Sequence, residues 1–226
     1  MKTSVVTFDN INPHPYTGIY VIPEKGYFSY RVDNKPAVSK TPGIVSGIVF
    51  TGVLDTTCDY EVLAPEGEGL DIHKVCGFGT QTFLGLFDCD SVRLGFQKSE
   101  EQSAINGIPT FKMFVYMHQK GKRYIPRNST GKALPTFLGY YKAGDTFEVY
   151  FNLVNFINKV PQSLQTTFIS DIHDPNLVSK SITVSWNREI KKGLWYFPYY
   201  EEEGTPATHP MLFNLTLKEY TLINEY

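Results

Sequence analysis

The residues of this chain that could do chemistry fall into a few short groups. In FDCDS, Asp88 and Asp90 stand two apart, so a strand would send both carboxylates off one face. With Asp55 and Asp59 of LDTTCDY they offer the oxygen ligands that calcium takes. No stretch has the spacing of a helix–loop–helix calcium site. The preferred reading is therefore solvated loop acids and turn caps, and no cofactor is expected. A structural calcium at Asp88 and Asp90 is the alternative. In SDIHDPN, alternation places Asp171 and His173 on one face, where they could ligate zinc or move protons. Asp174-Pro175-Asn176 is ordinary turn chemistry, and the segment reads as a loop.

Hydrolysis of a glycoside needs two carboxylates across a cleft, and Glu148 and Glu219 could fill those roles. Nothing in the pattern selects them over other acids. Gly-x-Ser-x-Gly, P-loop and His-Glu-x-x-His motifs are absent, and no cysteine has an identifiable histidine partner by spacing. The chain therefore reads as a non-enzyme. HQKGKRYIPR gathers Lys120, Lys122, Arg123 and Arg127 around Tyr124, which could hold phosphates and stack a base. The patch is short and the net charge is −2, so it reads as a solvated hairpin tip. Neither nucleic acid nor a membrane is an expected partner.

The densest feature is KKGLWYFPYYEEEG, residues 191–204. Aromatic faces stack on sugar rings and also anchor protein interfaces. Pro198 interrupts regular pairing, so not every ring here can be core. Trp195 and Phe197 share a parity and are expected inside. Tyr196, Tyr199 and Tyr200 are expected to cap the core or face a partner. The candidate partner- or glycan-binding set is Trp195, Tyr196, Tyr199 and Tyr200.

These groups must be positioned by strands. Period-two alternation runs through GDTFEVYFNLVNF, with Phe147, Val149, Phe151 and Leu153 on one face. It recurs in SITVSW (Ile182, Val184, Trp186), in LFNLTLKEY (Phe213, Leu215, Leu217) and in YFSYRV (Phe28, Tyr30, Val32). Turn chemistry lies between: Asp33-Asn34, Asn106-Gly107 as a hairpin signal, QKGKR, and KAGD at 142–145. Short helices are expected only at SEEQSA near Ser99 and at a turn over 161–164. The fold class is all-β, one antiparallel sandwich domain over 1–226, with 42% hydrophobic residues to fill a core. Cys58, Cys76 and Cys89 make an odd number and lack zinc-knuckle spacing, so buried thiols are expected. No apolar leader or bilayer-length stretch stands out, and a cytosolic product, or one assembled there, is expected.

YYKAGDTFEVYFNL and the later MLFNLTLKEYTLI resemble the closing strands of jelly-roll modules, and SVRLGF resembles a strand of concanavalin-like sandwiches. Lectin-like and carbohydrate-binding domains and many phage and virus structural proteins are built this way. The resemblance implies a jelly-roll fold and permits a structural calcium. With 15% aromatic residues and no catalytic motif, the leading expectation is a non-enzymatic bacteriophage virion component. Capsid decoration, fibre or tail assembly would be its place, as a homo-oligomer binding other virion proteins. The alternative is a carbohydrate-binding module that uses the aromatic platform.

Overall fold

The computed structural model describes residues 5–8, 17–33, 47–61, 72–80, 90–119, 122–125, 127, 129–133, 136–157, 160–176, 179–185, 193–196, 198–200 and 206–223. Two antiparallel sheets lie face to face. The first runs β12 (Lys180–Ser185), β11 (Val160–Ile169), β10 (Phe147–Ile157), β4 (Gly47–Leu54), β14 (Met211–Ile223), β2 (Gly18–Ile22) and β3 (Tyr30–Arg31), with β1 (Val5–Phe8) also on β14. The second runs β13 (Gly193–Tyr196), β5 (His73–Thr80), β6 (Asp90–Lys98), β7 (Thr110–Gln119) and β8 (Lys122–Tyr124), with β9 (Phe137–Lys142) on the other half of β7's edge. One helix, α1 (Glu100–Asn106), links β6 to β7. No helix among the described residues is long and apolar enough to cross a membrane. The structure is thus the expected all-β antiparallel sandwich.

Alternation builds the core. Phe147, Val149, Phe151 and Leu153 of β10 and Phe213, Leu215 and Leu217 of β14 are buried, as their parity predicts. They meet Val92, Leu94 and Phe96 of β6 and Phe111, Met113, Val115 and Met117 of β7 in one cluster. Phe96 touches Phe213 across the interface, with ring centroids 6.1 Å apart. Burying each such side chain contributes about 1.5–3 kcal/mol. Polar pins join the layers. Leu54 N–H donates to the Tyr141 hydroxyl (3.0 Å), which itself donates to the Asp145 carbonyl. Cys58 and Cys76 are buried thiols, and burial pushes both well up from the ordinary thiol range, so they are poor nucleophiles.

Some local expectations hold and others change. SEEQSA is α1, with Ser99 as its N-cap, accepting from Gln102 N–H. Asn106-Gly107 does not turn a hairpin: Gly107, at φ +66°, caps the helix's C-terminus, because an αL residue there closes the last turn. The 161–164 segment is strand within β11. KAGD is the expected entry turn, with Gly144 at φ +92°. YFSYRV is inverted: Phe28, Tyr30 and Val32 are exposed, while Arg31 is 7% exposed. Two bonds to the Asp33 carboxylate (3.0 and 2.6 Å) and one to the Thr17 carbonyl (3.0 Å) satisfy the guanidinium. It also lies 5.9 Å from the Tyr20 ring centroid. A charge satisfied this fully can take the inner position on an edge strand.

Candidate functional site on the outer face of the second sheet

The residues of β6 and β7 that alternate with the core point away from it. They are Ser91, Arg93, Gly95 and Gln97, and Lys112, Phe114, Tyr116 and His118. Cross-strand pairing sets Arg93 beside Tyr116 and Ser91 beside His118, and β8 adds Arg123 beside His118. On the other side of β6, Gly77 lies beside Arg93 and Lys74 beside Gly95.

Lys74 reaches this face through an irregularity. The β5–β6 register shifts between Lys74 and Cys76, leaving Val75 as an extra residue. Without it, alternation from the core residue Cys76 would put Lys74 inside and His73 outside. The bulge reverses both. His73 is buried, stacked on Tyr200 at 4.1 Å, with Tyr60 4.4 Å away edge-on. Burial, reinforced by the charge on Lys74, holds its imidazole well below the ordinary histidine range. Lys74 turns outward. Its ammonium donates to the Ile72 carbonyl and sits 4.0 Å from the centroid of the Tyr116 ring.

Tyr116 is therefore the hub. Its hydroxyl lies 3.2 Å from His118 Nε2, and the Arg123 guanidinium is 5.5 Å from its ring centroid. Tyr116 is 7% exposed, Arg93 and His118 are half-buried and Arg123 is exposed, so the group opens to solvent along β7 and β8. The Ser91 hydroxyl is buried with no hydrogen-bond partner among the described residues. Four cationic residues, Lys74, Arg93, Lys112 and Arg123, share this face, and none of its described positions is Asp or Glu. Glycines keep the floor close. A Cβ on Gly77 would lie 2.2 Å from the Val92 carbonyl oxygen, and one on Gly95 would lie 2.3 Å from a methyl of Ile72. Larger residues would part the strands or lift Ile72. Chemically, the face can attract an anion, orient it with fixed donors and exchange protons through a Tyr–His pair.

The residues singled out by sequence fall elsewhere. Tyr200 does not face a partner: it is 1% exposed, held by its stack on His73. Tyr199 is half-buried and paired through its backbone with Lys74. Trp195 and Tyr196 lie on β13, in register with Phe78 and Gly77. Phe197 lies outside the described residues, as do Asp88 and Cys89. Asp90 opens β6, and among the described residues no three His, Cys, Asp or Glu side chains converge as metal ligands do. Asp171 and Asp174 accept from the backbone N–H of His173 and Asn176, the turn chemistry expected of a loop. Glu148 accepts from Thr51 and Tyr150 on the first sheet, away from the Tyr116 face. Of the described residues of the basic hairpin, only Arg123 joins the site, beside His118. An open cleft elsewhere, lined by Asp59, Tyr60, Glu61, Lys98, Glu100, Thr208 and His209, holds an ion-paired lysine, with Lys98 bridging Asp59 (2.9 Å) and Glu100 (3.0 Å).

No protein-family model matches this chain, and no curated sequence matches it. Solved structures do. Alginate lyase vAL-1 from Chlorella virus is 13% identical, with TM-score 0.43, over 99% of this chain and 90% of that one. A mutant of alginate lyase Aly36B in complex with an alginate tetrasaccharide is 8% identical, with TM-score 0.42, over 92% and 81%. The alginate lyase from Alteromonas sp.272 is 14% identical, with TM-score 0.37, over 98% and 95%. These matches correct the expectation of a non-enzymatic virion component, because all three proteins are enzymes and none is a virion structural protein. At these identities the likeness is one of architecture, and residue roles have to come from the site itself.

Proposed function

We propose that the outer face of the second sheet binds an acidic polysaccharide and cleaves it by β-elimination at a uronate residue. The observation that carries this is the constellation around Tyr116: a hydroxyl–imidazole pair at 3.2 Å with Lys74 and Arg123 over the ring and Arg93 alongside. Elimination beside a carboxylate makes three demands. Cations must neutralise the carboxylate, since charge builds on it as the adjacent C–H bond breaks. A base must take that proton, and an acid must protonate the departing glycosidic oxygen. Arg93 and Arg123, the cations of the group that reach solvent, meet the first demand, while buried Lys74 holds the Tyr116 ring in place. His118 takes the C5 proton, electrons close a C4–C5 double bond, and the C4–O bond breaks. Tyr116 O–H protonates the leaving oxygen and recovers a proton from His118 along their hydrogen bond. No metal is required by this scheme.

The test is ultraviolet detection of unsaturated uronate ends when the protein is incubated with alginate, polyglucuronate and polygalacturonate, and with neutral glucan as control. Unsaturated products from at least one acidic polymer are expected. Silence on all three, with no binding by affinity electrophoresis, would sink the reading.

A further inference from the structure

The row of Lys74 continues past the edge of the second sheet. Lys74 and Tyr199 exchange two backbone hydrogen bonds (2.8 and 2.9 Å), and Tyr199 in turn bridges to Phe28. Directly paired residues share a face, so Tyr199 and Phe28 stand on the Lys74 side. Their rings confirm it, with centroids 5.0 Å apart and planes tilted 46°. On the far side of Lys74 the same row passes Gly95, Phe114 and Phe137. Cationic centre and ring pair therefore lie on one side of the sheet, a strand spacing of about 4.8 Å from one position to the next.

Phe28 is the most exposed large apolar side chain of the described residues, at 73%. Internal packing does not account for it. Its backbone is fixed instead: Ser29 N–H donates to the Pro198 carbonyl and Tyr200 N–H to the Tyr27 carbonyl, one on each side of the Phe28–Tyr199 bridge. An exposed ring on a fixed backbone, tilted against a tyrosine, is suited to the C–H face of a sugar.

We infer that Phe28 and Tyr199 form an apolar subsite that holds a sugar ring of the same acidic chain, beyond the ring that is cleaved at Tyr116. This rests on the function proposed above and adds residues that bind without taking part in proton transfer. Tyr199 is among the partner- or glycan-binding candidates read from sequence. Phe28 was not, since its alternation assigned it to the core.

The experiment measures steady-state cleavage of alginate and polyglucuronate by the wild type, Phe28→Ala and Phe28→Tyr, with thermal midpoints for all three. A subsite predicts KM raised about five- to tenfold in Phe28→Ala, kcat within about twofold, near-wild-type KM in Phe28→Tyr and unchanged midpoints; one stacked ring is worth about 1–1.5 kcal/mol. Unchanged KM in Phe28→Ala, with an active wild type, overturns the subsite and leaves the proposed function standing. A fall in kcat at constant KM overturns it as well. A wild type that neither cleaves nor is retarded in gels containing these polymers overturns both.

Discussion

Replacing Lys74 by methionine tests the site most directly, because a structural and a functional lysine answer in opposite ways. Lys74 is 1% exposed, donates to the Ile72 carbonyl and lies over the Tyr116 ring. Loss of the charge-assisted hydrogen bond costs about 1.5–3 kcal/mol. Loss of a desolvated cation–π contact costs about 2 kcal/mol. Against these stands the cost of keeping an ammonium out of water, several kcal/mol, which the variant no longer bears. Methionine has nearly the same length and fills the same volume, so no cavity follows. The two sides nearly cancel, and stability should move by less than about 2 kcal/mol in either direction. Activity should not survive so well. Lys74 holds the ring of the proposed proton donor Tyr116, and misplacing a catalytic group by about 1 Å costs about a hundredfold in rate. The assay pairs urea denaturation with initial rates of unsaturated uronate formation. A variant that is folded, equally stable and still active within threefold would refute the assignment. A loss of stability well above 3 kcal/mol would show instead that Lys74 serves the fold.

Two further outcomes are expected. Tyr116→Phe keeps the ring beneath Lys74 and removes only the hydroxyl that meets His118, so stability should fall by about 1 kcal/mol while kcat falls at least a hundredfold; circular dichroism and the rate assay together check this, and unimpaired turnover would remove Tyr116 from proton transfer. Acid should weaken the fold through His73. Its imidazole is depressed by burial and by Lys74, so between that lowered value and the ordinary 6.5 the unfolded chain binds one more proton than the native protein. That contribution is fully present above pH 6.5 and is lost as pH falls below it, at up to about 1.4 kcal/mol per pH unit. Urea titrations at several pH values should show this slope, and His73→Phe, which suits the Tyr60–Tyr200 sandwich, should flatten it.

Period-two patterning carried most of the fold. A strand with one buried face must alternate, and β10 over 147–154 and β14 over 211–218 do so. Turn and cap residues were legible where one residue type is required, as at Gly144 and Ser99. The failures share a cause, which is that parity says nothing about where an irregularity reverses it. Phe28, Tyr30 and Val32 were assigned inward because they are apolar, but Arg31 took the inner place once Asp33 and Thr17 satisfied its charge. Tyr200 follows a proline that ends regular pairing, and its burial depends on a histidine far away in the chain.

The candidate site was almost invisible for a related reason. Lys74, Arg93, Tyr116, His118 and Arg123 have no shared motif, and they come from four strands that only the sheet brings side by side. Net charge, −2 over the whole chain, argued against nucleic acid and an anionic membrane. It averages over all faces, whereas an anion meets one. The sequence by itself determined that this chain would alternate into an antiparallel sandwich, since burial of one face of each strand leaves little else. Tertiary structure alone decided that four cationic residues share one side of one sheet, and that Val75, as a single extra residue, turns Lys74 toward them.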